Sequence, residues 1–280
     1  MFITFLSDYG LQDDFVGTCH GVMRRIAPQI QIIDITHGIP PQAVMQGALV
    51  LRNTLPYMPE AVHLAVVDPG VGGPRRPLVL RDRSGRCYVG PDNGLLLPAA
   101  EAHGGVAAAN ELANPTYALE HVSRTFHGRD LFAPAAAHLA LGLDPSELGP
   151  PVDPDALVRL EVPQPELHAG GISALALYVD RYGNVQLNVT GAQLKRAGIG
   201  HGTRVELELQ GERYYAVAAR TYAEARPGDI ILYEDSYGSV AVAINRGSAA
   251  EMFSLRPGQP VGIRTATASG RWLQEAASTV

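Results

Sequence analysis

Six prolines, at 145, 150, 151, 154, 163 and 165, crowd a stretch that runs on to Gly171. Proline has no backbone N–H and fixes φ, so a segment this rich in it continues neither a helix nor a central strand. Residues 151–171 therefore read as a linker that divides the chain into two spans, 1–150 and 172–280. Each span is long enough to fold as a domain.

The first span alternates short apolar runs with segments of helical period. Residues 2–6, 31–35 and 63–67 read as strands, the first two each followed by a helix pattern, at 15–26 and 42–57. Asp13 and Asp14 stand where they would cap the first helix, and Pro28 ends it. Residues 77–80 and 86–89 are shorter strands, and 131–141 is a further helix. Strands alternating with helices over short connections predict an α/β fold, a mostly parallel sheet sandwiched by helices. The second span reads differently. Seven strands, at 172–179, 185–189, 204–209, 214–219, 230–233, 239–244 and 260–264, enclose one short helix near 192–197. That succession predicts a small antiparallel β-barrel. No internal repeat is visible.

Composition removes several functions. The 22 basic and 28 acidic residues give a net charge of −6 with no basic run, which argues against nucleic acid, whose phosphates call for clustered Lys and Arg. No basic amphipathic stretch, no apolar run of roughly 20 residues and no charged-then-apolar leader appears, so a cytoplasmic protein away from membranes is expected. Cys19 and Cys87 lie far apart without a metal-ligand pattern and read as reduced.

The chemistry gathers where strands end. Asp8, with Asp13 and Asp14, follows the first strand, and His37 follows the second. Asp68 follows the third, in VVDPGVGGPRR at 66–76, with Arg75 and Arg76 closing the loop. Asp92 and Asn93 follow a later strand, and His127, Arg129 and Asp130 precede the last helix of the span. Singly, each group has a structural explanation as a turn or a cap. In a parallel sheet, however, these ends share one edge, so five such groups favour a common site. Two chemistries fit: a metal hydrolase, or a metal-free site in which Asp, Arg and His orient and activate water. The usual local ligand spacings, G-x-S-x-G, the P-loop and the dinucleotide fingerprint are all absent, so no motif points to a bound metal or cofactor, and the residues alone leave the choice between the two chemistries open.

The motifs SDYGLQDDFVG at 7–17, DITHGIPP at 34–41, VDPGVGGPRRPL at 67–78, VGPDNGLL at 89–96, FHGRDLFAPAAA at 126–137, VDRYGNVQLN at 179–188 and YEDSYGSVAVAINRGSAA at 233–250 together resemble one family. It is that of the S-adenosyl-L-methionine hydroxide adenosyltransferases, or S-adenosylmethionine hydrolases, relatives of the fluorinating and chlorinating enzymes. The resemblance spans nearly the whole chain in order and spacing. It implies an N-terminal α/β domain, a C-terminal β-barrel and a homotrimer with active sites between subunits. It implies a small-molecule substrate, S-adenosyl-L-methionine, split into adenosine and L-methionine by water attacking the ribose 5′ carbon.

By residue, the resemblance implies that Asp68, Arg75 and His127 activate the water, although spacing alone leaves Arg75 and Arg76 hard to separate. It places Asp8 and Asp68 near the ribose, with Asp13 or Asp14 nearby. Asp180 and Asn184 match positions that hold the methionine part, Tyr182 matches an aromatic that packs on the ligand, and Ser236 and Asn245, with the backbone near Arg246, match contacts to adenine and the methionine end. Gly73 and Pro74 depart from the family pattern, which often has Thr and a polar residue there. Two rivals stand beside this reading. A halide could replace water, though halogenases tend to lack the Asp/His set; or the chain could bind adenosine or its sulfonium derivative without turning it over.

Overall fold

The computed structural model describes residues 1–266. The chain forms two compact units, Met1–Glu161 and Val162–Val280. The proline-rich stretch is divided between them. Its first part is hydrogen-bonded into the first unit, where Val152 N donates to Ala109 O and Val158 N to Asp92 Oδ1.

The first unit holds strands β1 (Phe2–Ser7), β2 (Gln31–Thr36), β3 (Ala61–Val66), β4 (Pro77–Asp82), β5 (Cys87–Pro91) and β6 (Val106–Glu111). They form one sheet in the order β2-β1-β3-β5-β4-β6. The β1–β2, β1–β3 and β3–β5 pairs are parallel, while β4 runs antiparallel to β5 and β6. Its helices are α1 (Phe15–Ile26), α2 (Val44–Thr54), α3 (Leu97–Ala102) and α4 (Ala133–Ala140).

Alternation along the strands gives the sheet two buried faces. Ile3, Phe5, Leu64 and Val66 share a core with Val16, Cys19 and Met23 of α1 and the alanines of α4. Leu6, Ala65, Leu78 and Tyr88 face the other way, toward Ala48 and Leu51 of α2 and Ala99 of α3. Each large side chain withdrawn from water in this way is worth about 1.5–3 kcal/mol. Cys19 and Cys87 are both free, and burial pushes the Cys87 thiol up to about 11.

Three local readings are corrected. Asp14 precedes α1 and its carbonyl accepts from Thr18 N, but its side chain caps no helix N–H; the carboxylate instead accepts from the Thr18 hydroxyl. The alanine-rich stretch near 99–109 contains α3 and β6, because alanine is neutral between the two periods and its signal was mute. The helix read at 131–141 begins earlier as a π-helical turn, Gly128–Phe132, and only then becomes α4.

In the second unit β7 (Glu166–His168) leads into seven strands: β8 (Gly171–Val179), β9 (Val185–Thr190), β10 (Arg204–Leu209), β11 (Glu212–Ala218), β12 (Ile230–Glu234), β13 (Ser239–Ile244) and β14 (Pro260–Thr265). The order β14-β10-β11-β12-β13-β9-β8 closes through the β14–β8 pair into a barrel. One neighbour pair, β11–β12, is parallel, so the barrel is not wholly antiparallel. Helices α5 (Gly191–Arg196) and α6 (Ala249–Met252) flank a core of Val185, Leu207, Val242 and Ile263. No helix among the described residues is long and apolar enough to cross a membrane.

Candidate functional site

The sheet order puts β1 and β3 side by side, so Asp8 and Asp68 leave neighbouring strand ends. From Asp68 the loop turns back sharply, and Arg75 meets the carboxylate seven residues on. Arg75 Nε lies 2.9 and 3.0 Å from the two Asp68 oxygens, and Nη2 lies 2.5 Å from Oδ2. The same Nη2 lies 2.8 Å from Nδ1 of His127, which stands just before the π-helical turn. The Arg75 guanidinium rests over the Phe132 ring, 5.3 Å from its centroid. The Arg75 and Asp68 side chains are only 8% and 6% exposed. Three residues from distant positions thus form one contiguous set.

This geometry fixes a tautomer. Arginine only donates, so His127 Nδ1 accepts from Nη2 and its proton resides on Nε2. Burial, followed by the Arg75 charge, holds the imidazole below its usual range, so at neutral pH it is uncharged. His127 therefore presents an N–H, while Asp68 keeps spare lone pairs.

Arg76 goes elsewhere. Its Nε and Nη2 bind Asp92 Oδ2 at 2.9 and 2.5 Å, and Nη2 also donates to Ala156 O. Arg129 and Asp130 form their own pair, with Asp130 fully buried and accepting from Ser123 N. Asn93 is a brace, its Nδ2 donating to Val67 O just before Asp68.

Asp8 accepts from Gln42 N at 2.9 Å, a contact aimed by the left-handed backbone of Gln42 at φ 67°. Burial raises its pKa against that backbone bond, and the charge of Asp68 adds to the rise. Asp13 and Asp14 lie exposed before α1, Asp14 turned toward its own helix. Tyr9 was missed by sequence reasoning. Its ring packs edge-on against Phe126, and its hydroxyl comes so close to Gly128 that a β-carbon there would collide with it. The SDYG motif held Tyr9 in plain sight, but an aromatic beside three carboxylates carried no chemical signal of its own.

His37, the remaining strand-end histidine, is buried and bonded through Nδ1 to Ser7 Oγ at 2.7 Å. Among the described residues, His20, Asp34 and His37 are the group of side chains spaced to hold a metal ion.

In the second unit the candidate residues converge on two adjoining cavities. One, of about 350 Å³, is lined by Asp180, Asn184 and Ser236 together with Tyr178, Tyr222 and Tyr233. The other, of about 620 Å³, is lined by Asp180, Tyr182, Asn184, Asn245 and Arg246. Asp180 sits where the two meet. Its carboxylate accepts from Tyr182 N, Asn184 N and Asn184 Nδ2 at 2.8, 2.9 and 2.7 Å. Asn184 Nδ2 reaches Tyr222 Oη, which donates to Tyr233 Oη at 2.7 Å. Sequence reasoning missed the tyrosines, since each looks like an ordinary barrel residue until the strands close.

The cavity rim contains a duplication too short to register as a repeat. Residues 180–184, DRYGN, and 235–239, DSYGS, form the same turn. In both, the Asp carboxylate accepts from the N–H groups two and four residues on. The Asp N–H donates to the fifth carbonyl, and a glycine at φ 80° closes the loop. Each turn leaves a tyrosine exposed, Tyr182 at 78% and Tyr237 at 48%.

Comparison with known proteins follows the same division. Residues 3–149 match the SAM hydroxide adenosyltransferase N-terminal domain, and 175–262 match the C-terminal domain of that family. An (R)-S-adenosyl-L-methionine hydrolase from Salinispora arenicola is 49% identical over 93% of this chain and 97% of its own. A fluorinase from an Actinoplanes species is more distant, at 30% identity over 94% of this chain and 97% of its own. An uncharacterised conserved protein from Thermotoga maritima, known from its crystal structure, superposes with a TM-score of 0.86 at 33% identity. That likeness covers 94% of this chain and 99% of the Thermotoga one.

Proposed function

The chain belongs to the SAM hydroxide adenosyltransferase family, and from that premise we propose that it hydrolyses S-adenosyl-L-methionine to adenosine and L-methionine. The observation that carries the reading is the closed Asp68–Arg75–His127 set at a strand-end edge. The sulfonium is already a good leaving group and needs neither acid nor Lewis acid. What the protein must supply is a nucleophilic water held in line behind the ribose 5′ carbon.

The three side chains divide that task by their chemistry. The Arg75 charge stabilises developing hydroxide. His127 donates its Nε2–H to the water oxygen and fixes its position. Asp68 is the member with a free lone pair, and it accepts the water proton as the C–O bond forms and the C–S bond breaks. The proton then passes to solvent. Asp8 faces the ribose hydroxyls from the neighbouring strand end. On the barrel, Asp180 pairs with the substrate ammonium, Asn184 and Tyr182 hold the methionine part, and Ser236, Asn245 and Arg246 hold the remaining contacts. Asp13 and Asp14, exposed before α1, stand at the periphery of the site. The reading includes a homotrimer in which the first unit of one subunit and the barrel of the next complete each site. It also includes the (R) form of the substrate, the form named for the Salinispora relative.

The test is direct. Purified protein is incubated with each sulfur epimer of the substrate, with and without chloride, and the nucleosides are separated and weighed. Adenosine with stoichiometric methionine is expected from the (R) form. A 5′-chlorinated nucleoside as main product would favour the halide reading, and no product with tight adenosine binding would favour a sensor.

A further inference from the structure

The geometry points to a divalent transition-metal site, of the Zn²⁺ class, formed by His20, Asp34 and His37, and we propose it as a second ligand site of this protein. The three residues come from α1, from β2 and from the turn after β2. Their donor atoms all lie within 4.8 Å of one another. His20 Nε2 is 2.9 Å and His37 Nε2 is 3.1 Å from Asp34 Oδ1. A tetrahedral ion with bonds of 2.0–2.2 Å needs its ligand atoms about 3.3 Å apart. The two His–Asp separations therefore need to open by only a few tenths of an ångström, with the two histidine nitrogens no more than 4.8 Å apart.

His37 carries the independent observation. Its side chain is 2% exposed, and Nε2 is buried without a hydrogen bond, although Asp34 Oδ1 lies 3.1 Å away. A buried polar atom without a partner is costly. A metal ion would satisfy it, with the ring proton on Nδ1. That proton then points at Ser7 Oγ, 2.7 Å away, the kind of outer partner that fixes a ligating imidazole. Two histidines and one carboxylate are a donor set suited to Zn²⁺ and its neighbours, with room left for water. His20 and Asp34 are 31% and 41% exposed, so the ion has a route in.

Position gives the site a consequence. Ser7 Oγ also accepts from Tyr9 N, and Gly10 N donates to His37 O at 2.8 Å. An ion on His37 would tie α1 and β2 to the turn that carries Asp8. It would brace that turn and take no part in the reaction.

The experiment uses the full, tag-free chain after chelation and dialysis. Zn²⁺ is titrated calorimetrically, and Co²⁺ is added separately to report coordination through its visible bands. One ion per chain and cobalt bands of a four- or five-coordinate site are expected. His20→Ala and Asp34→Ala, both partly exposed, should each weaken Zn²⁺ binding at least about tenfold and remove the bands. His168→Ala, a surface histidine on β7, should change neither. Absence of stoichiometric binding, or binding indifferent to both His20→Ala and Asp34→Ala, overturns the proposal and leaves the trio as a hydrogen-bonded group.

Discussion

Arg75→Lys separates charge from geometry at the proposed water site. Lysine keeps the positive charge, but it is a point donor on a flexible stem and cannot reproduce a planar fork. Arg75 uses one nitrogen, Nη2, for both Asp68 Oδ2 and His127 Nδ1, and a second, Nε, for Asp68. A lysine that reaches Asp68 gives up the bond to His127. One charge-assisted hydrogen bond lost in a nearly dry site is worth about 1.5–3 kcal/mol. If that bond matters only at the transition state, turnover falls by about 10- to 150-fold while KM holds. Losing it also frees Nδ1, so the imidazole redistributes between tautomers. The assay is steady-state hydrolysis at saturating substrate, paired with nitrogen-15 NMR of the His127 ring. Wild type should show the proton on Nε2 near neutral pH, and the variant a mixture. Wild-type turnover in Arg75→Lys, or a wild-type ring already protonated on Nδ1, would refute the reasoning.

Arg76→Ala should reduce turnover far less than Arg75→Ala, since Arg76 is bound to Asp92 and Ala156 O; equal losses in steady-state assays would contradict the division of roles. Mixing Asp68→Ala with Asp180→Ala subunits should restore activity if sites are shared between subunits, and mixed oligomers verified by mass that stay inactive would count against sharing. Burial lowers His63 from 6.5 to about 4, so between those values the unfolded chain binds a proton that the folded chain refuses. Stability should therefore fall as pH drops through that window, by ~3 kcal/mol in full, and urea unfolding of His63→Gln should show a flatter slope. Gly183→Ala would force a side chain into φ 80° and against Ser248, so a lower melting temperature and weaker substrate binding are expected by calorimetry.

Much of this was readable in the chain, and the failures share a cause. The barrel strands announced themselves through alternation, and the closing pair β14–β8 only completes what seven such strands require. Asp68, Arg75 and His127 were chosen from matched motifs. Sequence leaves Arg75 and Arg76 hard to separate; in space Arg75 turns to Asp68 and Arg76 to Asp92, a divergence that adjacent positions do not announce. Neither β6 nor α3 was legible, because alanine-rich chain fits either element until its neighbours decide. The π-helical turn after His127 departs from the 3.6 period and leaves no pattern to detect. Tyr222 and Tyr233 meet only when β12 and the turn before it are brought together, a non-local fact. His20, Asp34 and His37 carry no local ligand spacing because α1, β2 and the turn after β2 each supply one of them.

The paired turns at 180–184 and 235–239 bear on the entropy of recognition. Each is held by bonds among five consecutive residues, so its shape is encoded in place and owes little to the rest of the barrel. Fixing one backbone residue costs about 1–2 kcal/mol. A rim built from mobile loops would charge that cost to the arriving ligand, whereas these turns settle it during folding. Association then needs no loop ordering, and its rate should track diffusion and charge, with little dependence on loop closure.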